Sequence, residues 1–161
     1  MTLDATALFA GTQALGLALW ASLAVLNNVQ DFQGAAAAVG RTLSMAPLAE
    51  APAIDTPLRR RAIRSPALHR LGLVGVLLLQ CVAAAALWTG CVLWATHGTR
   101  VPALPWFDLG LTALSAAVLA MLLGGLATAY WIRQEALQQT HFLLLLWILA
   151  TFGVLHWGVA A

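Results

Sequence analysis

The chain has 161 residues, of which 61% are apolar and only 9% charged, with a formal net charge of +2 and a mean hydropathy of +0.86. A water-soluble domain carries about 25% charged residues and roughly 45–50% apolar ones, so there is too little charge here to cover a globular surface, and a soluble enzyme is excluded. All 8 basic residues are Arg, and so small a positive excess does not suit nucleic acid.

A transmembrane helix needs about 20 consecutive apolar residues. Four stretches qualify, at about 5–26, 71–94, 109–130 and 141–159. They are continuously apolar rather than alternating, which rules out a closed β-barrel. The fold class is therefore all-α: one integral membrane domain of four transmembrane helices. The first stretch has no basic residue before it and is long for a signal peptide, so it is expected to be retained. Within it Ala10, Ala14, Ala18 and Ser22 follow one another at intervals of four, a small-residue face of the kind that lets helices approach in lipid.

The first loop holds most of the polar character. Val29, Phe32, Ala36, Val39 and Leu43 recur at helical spacing and predict a short amphipathic helix over about 29–45, lying in the interface. Pro47, Pro52 and Pro57 then predict an extended connector over about 46–58. Phe32, Arg41, Arg59, Arg60, Arg61 and Arg64 make the loop a candidate surface for anionic lipid or a partner protein.

The second span carries Gln80, Cys81 and Cys91. Ten residues of helix separate the two thiols by about 15 Å, too far for a disulfide. The third span has Ala116, Ala120 and Gly124 at the same spacing of four, so the first and third spans are candidates for the tight core of the bundle. Trp94, Trp106, Phe107, Tyr130, Trp131 and Trp157 stand at span ends, as aromatic anchors do. Seven arginines lie in loops one and three and only Arg100 lies opposite. By the positive-inside rule this puts loops one and three in the cytoplasm and both termini outside a bacterial cytoplasmic membrane.

No acidic or basic residue falls in mid-membrane, and no span has the Gly/Pro break of a substrate site, which speaks against a pump or transporter. No carboxylate pair, nucleophile–base set, metal motif or phosphate loop is present, so no catalytic residue and no metal ligand is expected. Histidine is the one residue type that suits a redox cofactor. His69 and His141 fall on one membrane side and His97 and His156 on the other, the arrangement two bis-histidine haems require. Against it, His69 and His97 lie at or beyond the bilayer edge, so haem b or a quinone remains an alternative beside the expectation of no cofactor.

Three segments carry a resemblance. Leu26-Asn27-Asn28-Val29-Gln30-Asp31-Phe32, then Leu43-Ser44-Met45, then Arg61-Ala62-Ile63-Arg64-Ser65-Pro66-Ala67-Leu68-His69 resemble the motifs of a bacterial family of small integral membrane proteins of unknown function, predicted to have four spans. The chain departs from that pattern at Arg41, where a His is usual, and at Ala46, where an Asp is usual. The resemblance implies an amino terminus inside, opposite to the arginine count, and it supplies no activity. The expected function is a non-enzymatic accessory subunit of a larger inner-membrane complex, respiratory or photosynthetic, in contact with lipids and other membrane subunits. The alternatives are a haem- or quinone-binding redox anchor and a small transporter or lipid-binding protein.

Overall fold

The computed structural model describes residues 5–157. It contains five α-helices and, among the described residues, no strand. The helices are α1 (Ala5–Gln30), α2 (Phe32–Leu43), α3 (Pro66–His97), α4 (Leu104–Ala127) and α5 (Glu135–His156), with short 3-10 turns at Ala46–Ala49, Pro57–Arg61, Val101–Ala103 and Tyr130–Ile132. The segments Ala5–Gln30, Pro66–His97, Val101–Ala127 and Glu135–His156 are long and apolar enough to cross a membrane. The fold is all-helical, with four such segments.

Local chemistry sets the helix ends. Asp31 caps α2 by accepting the amide hydrogen of Gly34 at 2.9 Å, the N-cap role for which a short carboxylate is suited. Pro66 opens α3, where its missing N–H costs nothing. Gly98, at φ +67°, closes α3 by donating to the Trp94 carbonyl at 3.0 Å, a left-handed cap that glycine adopts without steric penalty. The Thr128 hydroxyl donates to the Gly124 carbonyl at 3.0 Å, and the left-handed Ala129 follows. The third helix therefore stops at Ala127, three residues before the expected end, and begins earlier, at Leu104. The second span extends in both directions, because neither Arg70 nor His97 breaks a helix. The fourth begins at Glu135 rather than 141, and the last part of its expected range, 158–159, lies outside the described residues.

α3 packs against α1 and α4, and α5 closes the ring between α4 and α1. α1 and α4 thus face each other across a diagonal. Leu17, Leu87, Phe107, Leu114, Val118, Ile148 and Leu155 fill the space between them. Large apolar side chains such as Leu8, Leu19, Leu71, Leu78, Leu123, Leu143 and Leu146 point outward, as a lipid-facing surface requires.

The small-residue face of the first span lies in the core, whereas that of the third only borders it. Ala10, Ala14 and Ala18 are fully buried, and Ser22 accepts from Trp88 Nε1 at 3.0 Å. On α4, however, the buried line runs through Gly110, Ala113, Leu114, Ala117, Val118, Leu122 and Gly125. Ala116 and Gly124 are half-buried and Ala120 is exposed. The reason is geometric: residues four apart drift by about 40° per step on a helix of 3.6 residues per turn, so a stripe read at that spacing leaves the buried face. The most extensive helix–helix contact is between α3 and α4. A Cβ on Gly110 would meet Leu87 Cγ at 2.7 Å, and one on Gly90 would meet Phe107 Cδ1 at 2.6 Å. Glycines receive large side chains there.

Candidate functional site

The first loop folds over one end of the bundle. α2 lies against α3, and a Cβ on Gly40 would meet His69 Nδ1 at 2.5 Å. The stretch 46–58, expected as an extended surface connector, is compact. Pro47 and Leu48 are buried, and Met45, Leu48 and Ala129 form a second small core, joined by Ile54, Leu58, Ala62 and Ile132. The prolines start two 3-10 turns, and the apolar residues between them gain cover only by folding onto the α4–α5 connection. Arg133 donates to the Pro52 carbonyl and ties the two loops together.

The three motif segments meet in this cap. Asn28 Nδ2 donates to Gln80 Oε1 at 3.0 Å, linking the end of α1 to α3. The Ile63 amide donates to the Leu43 carbonyl, and His69 Nε2 donates to the Ile63 carbonyl, both at 2.8 Å. The left-handed Met45, at φ 56°, turns the chain into the small core.

The arginines have different surroundings. Arg41 forms an ion pair with Glu50 at 2.6 Å. Arg60 Nε donates to the Pro57 carbonyl at 3.2 Å. Arg59 is half-buried, Arg61 and Arg64 are exposed, and none of the four arginines at 59, 60, 61 and 64 has an ion-pair partner among the described residues. Phe32 is half-buried at the start of α2.

Beneath the cap lies a cavity of 510 Å³. Asn28, α2 (Val39, Leu43), the first half of α3 (Leu73, Val76, Gln80), the last turns of α4 (Ala120, Met121, Gly124), Tyr130 and His141 line it, and the exposed Gly72, Ala120 and Leu137 on its wall leave it open on one side. Tyr130 was expected at the headgroup level as an aromatic anchor, yet it is 3% exposed. Its ring lies over Gly125, where a Cβ would meet Tyr130 Cε2 at 2.6 Å. His141 is 9% exposed and stacks on Tyr130, with ring centroids 6.1 Å apart and planes at 22°. Tyr130 Oη and His141 Nδ1 have no accessible surface and no hydrogen-bond partner among the described residues, so they are packed within the protein rather than facing the cavity. An orphan polar atom of this kind costs about 1–3 kcal/mol. Burial also pushes the Tyr130 phenol above its ordinary range.

The four histidines do not behave as two equivalent pairs. His141 lines the cavity, whereas His69 is held by Ile63 and lies outside it. At the other end, His97 Nδ1 donates to the Leu93 carbonyl at 2.9 Å, and His156 Nε2 lies 3.3 Å from Asp108 Oδ1. No cluster of three or more His, Cys, Asp or Glu suited to a metal ion occurs among the described residues. The span glutamines both join helices: Gln80 as above, and Gln13, which accepts from Trp147 Nε1 at 2.7 Å.

The sequence singles out His141 but not Tyr130 as a site residue. The paired Gly124-Gly125 shortly before a lone tyrosine is the signal that could have found it, since glycine is where a helix admits a flat ring.

Fold and site together define a small four-span helical membrane protein with a folded arginine-bearing cap at one end. Residues 6–157 match the family model described as predicted small integral membrane protein (DUF2165), and the chain belongs to that family. As an integral membrane protein it contacts membrane lipids. No curated protein and no solved structure matches it.

Proposed function

We propose that this protein is a non-enzymatic accessory subunit of a larger assembly in the bacterial cytoplasmic membrane, respiratory or photosynthetic, and that it docks through its arginine end. One observation carries the reading: Arg60, Arg61 and Arg64 are exposed on a folded cap beside the half-buried Arg59, and none of the four has an acidic partner among the described residues. Cations held on a rigid surface meet an acidic partner or an anionic headgroup with little ordering cost. The same arginines, with Arg41, Arg70 and Arg133, orient this end to the cytoplasm and both termini outside. The mechanism is packing: the glycine and alanine positions hold the bundle together, and the outward Leu and Trp faces meet partner helices or lipid.

Mild solubilisation of native membranes followed by native electrophoresis tests this. The expected result is migration with a complex of defined mass, from which a variant with alanine at 59, 60, 61 and 64 is released while its helical content is unchanged. A wild-type protein that runs alone and monodisperse overturns it.

A second reading, a haem- or quinone-binding redox anchor, is favoured by the cavity beside Tyr130 and His141.

A further inference from the structure

At the end of the bundle opposite the arginine cap, the start of α4 meets the end of α5. His156 closes α5, and Asp108 stands in the second turn of α4. Each ring nitrogen of His156 faces an oxygen acceptor: Nδ1 lies 3.0 Å from the Phe152 carbonyl, and Nε2 lies 3.3 Å from Asp108 Oδ1. A neutral imidazole carries one N–H, so in either tautomer one nitrogen turns a lone pair toward an oxygen. Only the imidazolium donates in both directions.

The surroundings suit that cation in three further ways. Asp108 Oδ1 has no accessible surface and no hydrogen-bond partner among the described residues. A carboxylate oxygen shut off from water requires a counter-charge, and His156 is its one ion-pair partner among those residues. The imidazole lies against the Phe152 ring, with centroids 4.2 Å apart and planes at 31°, close enough for a cation–π contact. His156 is also the last residue of α5, where the unpaired carbonyls of the final turn carry partial negative charge.

The other charges at this end are engaged elsewhere. Arg100 donates to the Trp157 carbonyl and forms no ion pair with Asp108. His97, at the end of α3, directs Nδ1 to the Leu93 carbonyl of its own helix. α1 has no titratable side chain, and Asp108 is the only acidic or basic residue on α4. Asp4 and the two chain termini lie outside the described residues.

We propose that His156 and Asp108 form a proton-binding site, in which a proton taken up on His156 closes an ion pair that clasps α4 to α5. The clasp holds while the imidazole is charged and the carboxylate ionised, and it loosens as the imidazole loses its proton. Its contribution to stability is therefore present at lower pH and lost as pH rises. The site takes its protons from the side of the membrane opposite the arginines.

Thermal unfolding of the full chain in detergent micelles, followed by circular dichroism, tests this through a double-mutant cycle of His156→Phe and Asp108→Asn. The cycle is run at about pH 5.5 and about pH 8.5, on either side of the range in which histidine side chains change charge and with carboxylates ionised at both. It cancels the titration of His69, His97 and His141, which all four proteins share. Both substituted side chains are partly exposed, so neither change opens a cavity in the core. At the lower pH each single variant is expected to melt about 2–4 °C below the wild type, and the double variant no lower than the singles. At the higher pH this coupling is expected to disappear. His156→Gln, which donates a hydrogen bond but carries no charge, is expected to behave as His156→Phe does.

Additive losses at the lower pH overturn the inference, because two uncoupled side chains form no clasp. Equal coupling at both pH values overturns it as well, since a neutral hydrogen bond then accounts for the contact. So does coupling to Asp108 that survives in His156→Gln.

Discussion

His69 Nε2 donates to the main-chain carbonyl of Ile63 at 2.8 Å, and the amide of the same Ile63 donates to Leu43 at 2.8 Å. One residue of the loop is thereby held from both sides, by the first turn of α3 and by the end of α2. Gly40 makes room for the imidazole. Gly40→Val is expected to displace the ring and lower stability by about 1–3 kcal/mol, the usual cost of overpacking. His69→Ala should release the loop with a similar loss. Limited proteolysis of the detergent-solubilised protein should show faster cleavage within 46–64 in both variants.

The Asn28–Gln80 hydrogen bond joins α1 to α3 beside the cavity. Interhelical bonds between polar side chains in lipid average about 0.6 kcal/mol, with a maximum of about 1.7. A double-mutant cycle of Asn28→Leu and Gln80→Leu, read by reversible unfolding in mixed micelles, is expected to give a coupling energy in that range. A coupling near zero shows that the two side chains act independently.

Two glycines on neighbouring helices should respond in opposite directions. Gly110→Ala forces a Cβ to within 2.7 Å of Leu87 Cγ and 3.1 Å of its backbone nitrogen, so α3 and α4 must separate. A loss of about 1–3 kcal/mol is expected. At Gly75 an added methyl would have no neighbouring atom within 4 Å. Gly75→Ala is expected to stabilise α3 by about 0.4–1 kcal/mol. Thermal denaturation of the two variants side by side checks the direction of each.

Tyr130 is the chain's single tyrosine, so phenolate absorbance reports on it alone. Burial raises its pKa. The unfolded phenol ionises near pH 10, and the folded one ionises only at higher pH. Between those two values the native state holds the additional proton, so stability falls as pH rises through that window and is flat below it. The absorbance midpoint of the folded protein should lie above that of the denatured protein. Tyr130→Phe should remove its share of the alkaline loss.

Arginine placement governs the orientation. With seven arginines at the cap end and Arg100 opposite, a periplasmic reporter fused to the carboxyl terminus should be active. Replacing Arg59, Arg60, Arg61, Arg64 and Arg70 with Gln should reduce that activity and increase the activity of a cytoplasmic reporter. Reporter activity on the cytoplasmic side in the wild type reverses the assignment.

Much of the fold was legible in the residues. The helix ends at Asp31, Pro66 and Gly98 were not read, and the structure sets those helices at 32–43 and 66–97 rather than 29–45 and 71–94. Each span, however, is read from a local sum of transfer energies. The amphipathic segment around Val39 and Leu43 was legible for the same reason. The folded course of 46–58 was not, because three prolines signal only that a helix is absent. Leu48, Ile54 and Leu58 find their cover on Ala129 and Ile132, some eighty residues away. For the site, His141 was visible as a histidine in an apolar run, while Tyr130 read as an interface anchor. Only its position over Gly125 turns the ring inward.

By itself the sequence determined that this is a four-span helical membrane protein, because burying about 20 apolar residues in hydrocarbon is decided within each segment. It also determined membership of its family, through motifs that are contiguous in the chain. The tertiary structure decided which helices touch, how the arginine loop folds, and where a cavity without charged residues opens. The physical reason is that lipid is as apolar as the helices it surrounds. Helix pairing in it is chosen by the fit of Leu87 on Gly110 and Phe107 on Gly90, and by bonds such as Asn28 to Gln80, whose partners are distant along the chain.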